Sequence, residues 1–153
     1  SNLVSAVRAG VSRIGHALIL EKSDLALRCV LAANVAIEVC ITSNLGDSKS
    51  KCPTYSAHPV RYMLDQGVRV AGFNSDNLLL SGTLDMAPTP TAEVSRAVLE
   101  CGLSMNIDVR RVLTNALFAS FDSRVSGDSE EAKLYRHTFT EQVDIVLKKF
   151  GFT

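Results

Sequence analysis

The sequence predicts an α/β fold built on parallel strands, and three observations carry that prediction. Strands and helices alternate through the first half of the chain, with strands starting at residues 11, 35 and 68, so successive starts lie 24 and 33 residues apart. Such spacing leaves room for a crossover helix and excludes a hairpin. The middle strand is a near-continuous run of β-branched and small residues, as burial on both faces requires. From residue 88 onward the pattern becomes helical and no further strand follows. Of the 153 residues, 46% are hydrophobic and 21% charged, the proportions of one globular domain. At this size about 70% of the unfolded surface is expected to be buried.

Leu3, Val4 and Val7 share one helical face and Gly10 stops the helix, so the chain opens inside a helix and is expected to be a piece of something longer. Residues 11–16 read as a short strand ending at His16. Ser23 and Asp24 supply a helix N-cap, and Leu25, Leu27, Cys29, Val30 and Leu31 give that helix its apolar surface up to about Ala33. Residues 35–41 form the second strand, whose one charged residue, Glu38, lies on the face of Ala36 and Cys40, opposite Val35, Ile37 and Val39. Residues 44–57, rich in Ser, Lys, Gly and Pro, are a loop. Pro59 in a first turn opens the next helix, Gly67 stops it, and residues 68–73 are the third strand. Three helices, over residues 93–101, 107–121 and 129–150, are expected to close the chain.

With 16 Lys+Arg against 16 Asp+Glu and no run of like charge, the chain lacks the electrostatic footprint of a nucleic-acid or membrane-surface partner. Its most apolar stretch, residues 25–41, is interrupted by Arg28, Asn34 and Glu38 and is too short to span a bilayer. Cys29, Cys40, Cys52 and Cys101 are separated by 11, 12 and 49 residues, so no pair has zinc-knuckle or dithiol spacing. Reduced thiols and the lack of a secretory leader pattern point to a cytoplasmic setting.

Each strand ends on its C-terminal side in polar residues without an evident structural duty: His16, then Thr42-Ser43-Asn44, then Asn74-Ser75-Asp76-Asn77. In α/β proteins those ends form the site. Singly, His16 reads as a semi-buried histidine and Asp76 as a turn or cap residue; three polar ends in succession outweigh either reading. Glu38 is expected to hold His16, fixing the tautomer of its ring. His58 reads as a helix-start residue and His137 as part of a solvated face. Neither a phosphate-binding glycine loop nor a nucleophile elbow occurs. Three parallel strands are few for an independent domain, so they form an unusually small α/β unit or belong to a larger sheet or barrel.

Arg13-Ile14-Gly15-His16-Ala17, then residues 37–44, then His58-Pro59-Val60-Arg61 with Leu64-Asp65-Gln66-Gly67-Val68, then Asn74-Ser75-Asp76-Asn77 resemble, in order and spacing, the C-terminal half of the adenosine deaminase family. Asn115-Ala116-Leu117-Phe118-Ala119-Ser120-Phe121 is similar to that family's stretch before its terminal helix. The resemblance implies a zinc-containing (β/α)₈ TIM barrel of which this chain supplies the last three βα units and the C-terminal helices. Residues 1–153 would then be one partial barrel domain, with strands and helices to residue 87 and helices from residue 88.

By the same resemblance Asp76 is a zinc ligand that hydrogen-bonds the attacking water, and His16 orients and electrostatically stabilises the hydroxide. The implied chemistry is hydrolytic loss of the amino group of adenosine or a related 6-aminopurine. Two positions depart from the pattern. Asn77 stands where the family has a second acid contacting the purine, followed by Leu78 for Pro, and Ile41 replaces a Pro after Cys40. The family's remaining zinc ligands, a His-x-His pair on the first strand and a histidine on the fifth, are not in this chain, nor is the proton-shuttling Glu beyond the latter. The expected partners are therefore a purine nucleoside and the N-terminal half of the same barrel on another chain, and no activity is expected from this chain alone. A catalytically inactive relative retained for binding or assembly, and an independent α/β binding module, remain as alternatives.

Overall fold

The computed structural model describes residues 2–46, 51–76, 89–122, 129–149 and 151. Along them run α1 (Asn2–Arg8), β1 (Arg13–Gly15), a 3₁₀ turn (Leu18–Lys22), α2 (Asp24–Ala32), β2 (Ala36–Val39), α3 (Val60–Asp65), β3 (Val70–Phe73), α4 (Pro90–Leu99), a π turn (Met105–Val109), α5 (Arg110–Asp122) and α6 (Glu130–Lys149). The three strands pair in parallel in the order β1-β2-β3. Ile14 lies opposite Ile37, and Ile37 opposite Val70.

Local chemistry accounts for the starts and stops. The Ser23 hydroxyl accepts from the Ala26 amide at 3.3 Å at the head of α2, and Thr89 does the same for Ala92 at 3.2 Å at the head of α4. Gly67 adopts φ 81° behind α3, a conformation that a Cβ would strain. The strands are shorter than the sequence reading. Cys40 and Ile41 leave the ladder because the Asn44 amide returns to the Cys40 carbonyl at 3.0 Å, making a turn that swings Thr42 and Ser43 past the end of β2.

Ile37 and Val39 of β2 with the flanking Val35 and Ile41, and Val70 and Phe73 of β3 with the preceding Val68, pack into one apolar core with Leu27, Val30, Val60, Met63, Leu64, Val109 and Val112. All are buried, including Val35, Ile37 and Phe73, which three strands alone would leave incompletely covered. The helices provide that cover. Alternation puts Ala36 and Ala71 on the other face, where they meet Ala119 of α5. The Arg69 carbonyl bonds the Ile37 amide, so the Val70 carbonyl points away from β2, and there the Asn115 side chain of α5 donates to it at 3.0 Å. An open strand edge is thereby capped.

Asp108 in the π turn fastens the helical layer to α3. Arg61 forms a forked ion pair with it, and the Ser104 amide donates to it at 2.7 Å. Burial opposes the Asp108 charge, yet these hydrogen bonds hold its carboxyl below the usual range.

Candidate functional site

Because the strands are parallel and in step, their C-terminal ends lie side by side. The His16 amide donates to the Glu38 carbonyl at 2.8 Å and the Asn74 amide to the Val39 carbonyl at 2.8 Å, so the last bonds of the ladder are made by the first polar residues after β1 and β3. His16, Leu18, Ser43, Asn44, Lys51 and Asp76 line one pocket of about 370 Å³. Three of the polar strand ends singled out by the sequence are thus brought together. Asn77 lies outside the described residues.

His16 and Ala17 both adopt left-handed backbone, φ 64° and 56°. For residues with a Cβ this costs on the order of 1–2 kcal/mol each, and such strain concentrates where a side chain must be aimed. The ring of His16 is aimed across the strand ends: its Nε2 lies 3.8 Å from Asp76 Oδ2. The Ser43 hydroxyl donates to the same Asp76 oxygen at 2.6 Å. Lys51 Nζ donates to the Ser43 carbonyl at 3.0 Å and brings a positive charge to the rim.

Glu38 does not hold His16. Its carboxylate accepts from Arg13 Nη1 at 3.2 Å, a diagonal neighbour on the same sheet face. The reason is register: Gly15, with no side chain, stands opposite Glu38, and Arg13 is the nearest donor on that face. Asn44 takes the place foreseen for Glu38, its amide lying 2.7 Å from His16 Nδ1 and, at the other end, 2.9 Å from His58 Nε2.

His58 is buried, and burial pushes its pKa down to about 4. Its Nδ1 accepts from the Val60 amide at 3.1 Å. Cys40 is pushed up to about 11, first by burial and then by the charges of Asp76, Glu93 and Glu38, so it remains a thiol and not a nucleophile. Sequence reasoning missed Glu93. This fully buried acid of α4 accepts from the Thr42 amide at 3.0 Å, from the Thr42 hydroxyl, and from Arg96 at 2.9 Å. Its one sequence signal was an acid in a helix's first turn, which ordinarily denotes an exposed dipole partner.

Among the described residues no group of three or more His, Cys, Asp and Glu side chains is placed to hold a metal ion. Catalytic zinc takes about three protein ligands, so Asp76 with His16 does not make a complete zinc site. No helix among the described residues is long and apolar enough to cross a membrane.

Comparison with known proteins adds to this geometry. The family model described as Adenosine deaminase matches residues 4–131. The chain is 34% identical over 123 residues to an adenosine deaminase of Clostridium botulinum (strain Okra / Type B1), covering 80% of this chain and 34% of the relative. A second, from Clostridium botulinum (strain Kyoto / Type A2), is 35% identical over 111 residues, 72% of this chain and 30% of the relative. An adenosine deaminase of Clostridium kluyveri is 27% identical over 124 residues, 80% of this chain and 33% of the relative. The chain therefore spans about a third of the length of these curated relatives.

Proposed function

The chain belongs to the adenosine deaminase family, and from that premise we propose that it supplies the last three βα units and the terminal helices of a zinc-dependent, adenosine deaminase-like hydrolase. The observation that carries this reading is the convergence of His16, Ser43 and Asp76 on one pocket at the C-terminal strand ends, where such barrels carry their chemistry. The reaction is hydrolysis: water adds at C6 of adenosine or a related 6-aminopurine, the amino group leaves as ammonia, and the product is inosine or its analogue.

In this reading Asp76 is the one residue of the chain that would hold a zinc ion, and the chemistry the ion would supply when bound is activation of a water near the purine. The other ligands come from the N-terminal barrel half, which completes the site and without which this chain is inactive. Asp76 also accepts a hydrogen bond from the attacking water, and Ser43 steadies its carboxylate. The His16 ring lies beside the same carboxylate oxygen, orients the attacking water and stabilises the negative charge of the hydroxide formed from it. Asn77 contacts the purine. An Asn amide donates to a ring nitrogen as a protonated acid would, with no raised pKa needed.

That substitution also favours a second reading, an inactive relative kept for binding or assembly. The test is to join or co-express the chain with an N-terminal barrel half, then measure zinc content and the conversion of 6-aminopurine nucleosides. About one zinc per site together with ammonia release supports the hydrolase. A zinc-loaded protein inert on every 6-aminopurine, with activity appearing in Asn77→Asp, supports the relic.

A further inference from the structure

Asn44 lies between two imidazoles, and the backbone decides how all three side chains carry their protons. The Val60 amide is a fixed donor 3.1 Å from His58 Nδ1, so that nitrogen must present its lone pair. A neutral imidazole then carries its proton on Nε2. His58 stays neutral because burial lowers its pKa to about 4; a cationic ring would in any case set an N–H of Nδ1 against that of Val60. The Nε2–H of His58 needs an acceptor 2.9 Å away, at the Asn44 amide. A half-turn of an amide about its last side-chain bond exchanges oxygen and nitrogen at nearly the same positions, so its orientation follows from its partners. As placed, Asn44 Oδ1 faces His16 Nδ1 at 2.7 Å and Nδ2 faces His58 Nε2 at 2.9 Å, which sets donor against donor at His58; the half-turn that brings the oxygen to His58 presents the NH₂ group to His16 Nδ1. Nδ1 of His16 accepts, and the proton of its neutral ring sits on Nε2, the nitrogen turned toward Asp76.

We propose that Asn44 and His58 are positioning residues that fix His16 as its Nε2–H tautomer through a hydrogen-bond relay starting at the Val60 amide. The importance of the relay for catalysis rests on the deaminase reading; the relay itself does not. Its consequence is directional: the N–H of His16, not its lone pair, is presented to the pocket, so the ring acts there as a donor to developing negative charge. The opposite amide orientation would leave donor against donor at the Val60–His58 contact, a buried mismatch costing the full desolvation of an unsatisfied donor.

The experiment is ring ¹⁵N NMR of the histidine-labelled 153-residue chain at mildly alkaline pH, where the three histidines give three spin systems and His137, exposed on α6, serves as reference. In the native protein both His16 and His58 are expected as Nε2–H tautomers with unprotonated Nδ1, against a tautomer mixture for His137. Asn44→Asp replaces the amide by a group that only accepts, so His16 should become protonated at Nδ1 while His58 stays as it was. A purely structural Asn44 would leave the His16 tautomer unmoved. A native His16 protonated at Nδ1 overturns the proposal without any variant, as does an unchanged His16 tautomer in a folded Asn44→Asp protein. The outcomes separate from those of the function test: turnover in a completed enzyme with the wrong His16 tautomer removes the relay alone. The expected tautomers in a completed protein that converts no 6-aminopurine uphold the relay and remove the deaminase reading alone.

Discussion

Thr42 and Ser43 are neighbours in the turn that ends β2, and each hands a hydroxyl to a carboxylate, yet the two clusters they feed have opposite characters. Thr42 serves Glu93, whose side chain is 0% exposed and closed over by Arg96, itself 14% exposed. Ser43 serves Asp76, which is 44% exposed and shares a pocket with His16 at 45%. Glu93 has both oxygens occupied, and among the described residues no buried side-chain nitrogen or oxygen lacks a partner. Such a closed cluster fastens α4 to the end of the sheet and leaves nothing over for a ligand. The open cluster gathers a carboxylate, an imidazole and a hydroxyl around a space. A buried, fully satisfied ion pair belongs to the fold, and a half-exposed acid aimed at a pocket belongs to the chemistry.

The largest effect that sharpens this contrast is expected at the closed cluster. Glu93→Ala leaves Arg96 buried without its partner and should cost about 3–5 kcal/mol of stability, read as a lower denaturant midpoint. A loss within about 0.5 kcal/mol, the range of ordinary surface substitutions, would break the distinction.

Acid should act next, through His58. Its pKa is depressed from 6.5 to about 4, so the folded state resists protonation more than the unfolded state. The associated stability is fully present above about pH 6.5 and disappears as pH falls toward about 4, roughly 3 kcal/mol in all. Thermal melts across that window should fall steeply in the native protein and less so in His58→Gln; parallel curves would show that His58 is not the buried neutral group described.

At the open cluster the effects fall on rate. In the completed enzyme His16→Ala should slow turnover on the order of 10²-fold while leaving most of the zinc in place. If the metal left with His16, its role and that of Asp76 would be exchanged. The smallest effect is expected at position 77, where Asn77→Asp should alter KM or the choice among purines and leave kcat within a few-fold, checked by steady-state kinetics on several 6-aminopurines.

How much of this the sequence disclosed depends on the range of each interaction. The cap at Ser23, the stop at Gly67 and the β-branched run of β2 are local signals, and they located their elements to within a few residues. Parallel order followed from spacing, and with it the placement of His16 and Asp76 at one end of the sheet. The partners of those residues were not legible. Glu38 was matched to His16 because the one acid in a covered strand needs a partner, but register, with Gly15 opposite Glu38, gave the acid to Arg13. Asn44 reaches His16 across 28 residues and His58 across 14, and Glu93 reaches Thr42 across 51. No periodicity encodes such meetings. Nor did helical spacing show that Asn115 would turn to the edge of β3 and cap it.

The most direct test of the division between the two clusters sets Asp76→Ala beside Glu93→Gln in the completed protein and measures, on each, melting temperature, bound zinc and adenosine turnover. Asp76→Ala should melt close to the native protein with neither zinc nor activity, whereas Glu93→Gln should melt well below it and yet, while folded, keep zinc and turn over adenosine. An Asp76→Ala protein that retains zinc and activity, or a folded Glu93→Gln protein that has lost both, would contradict the account.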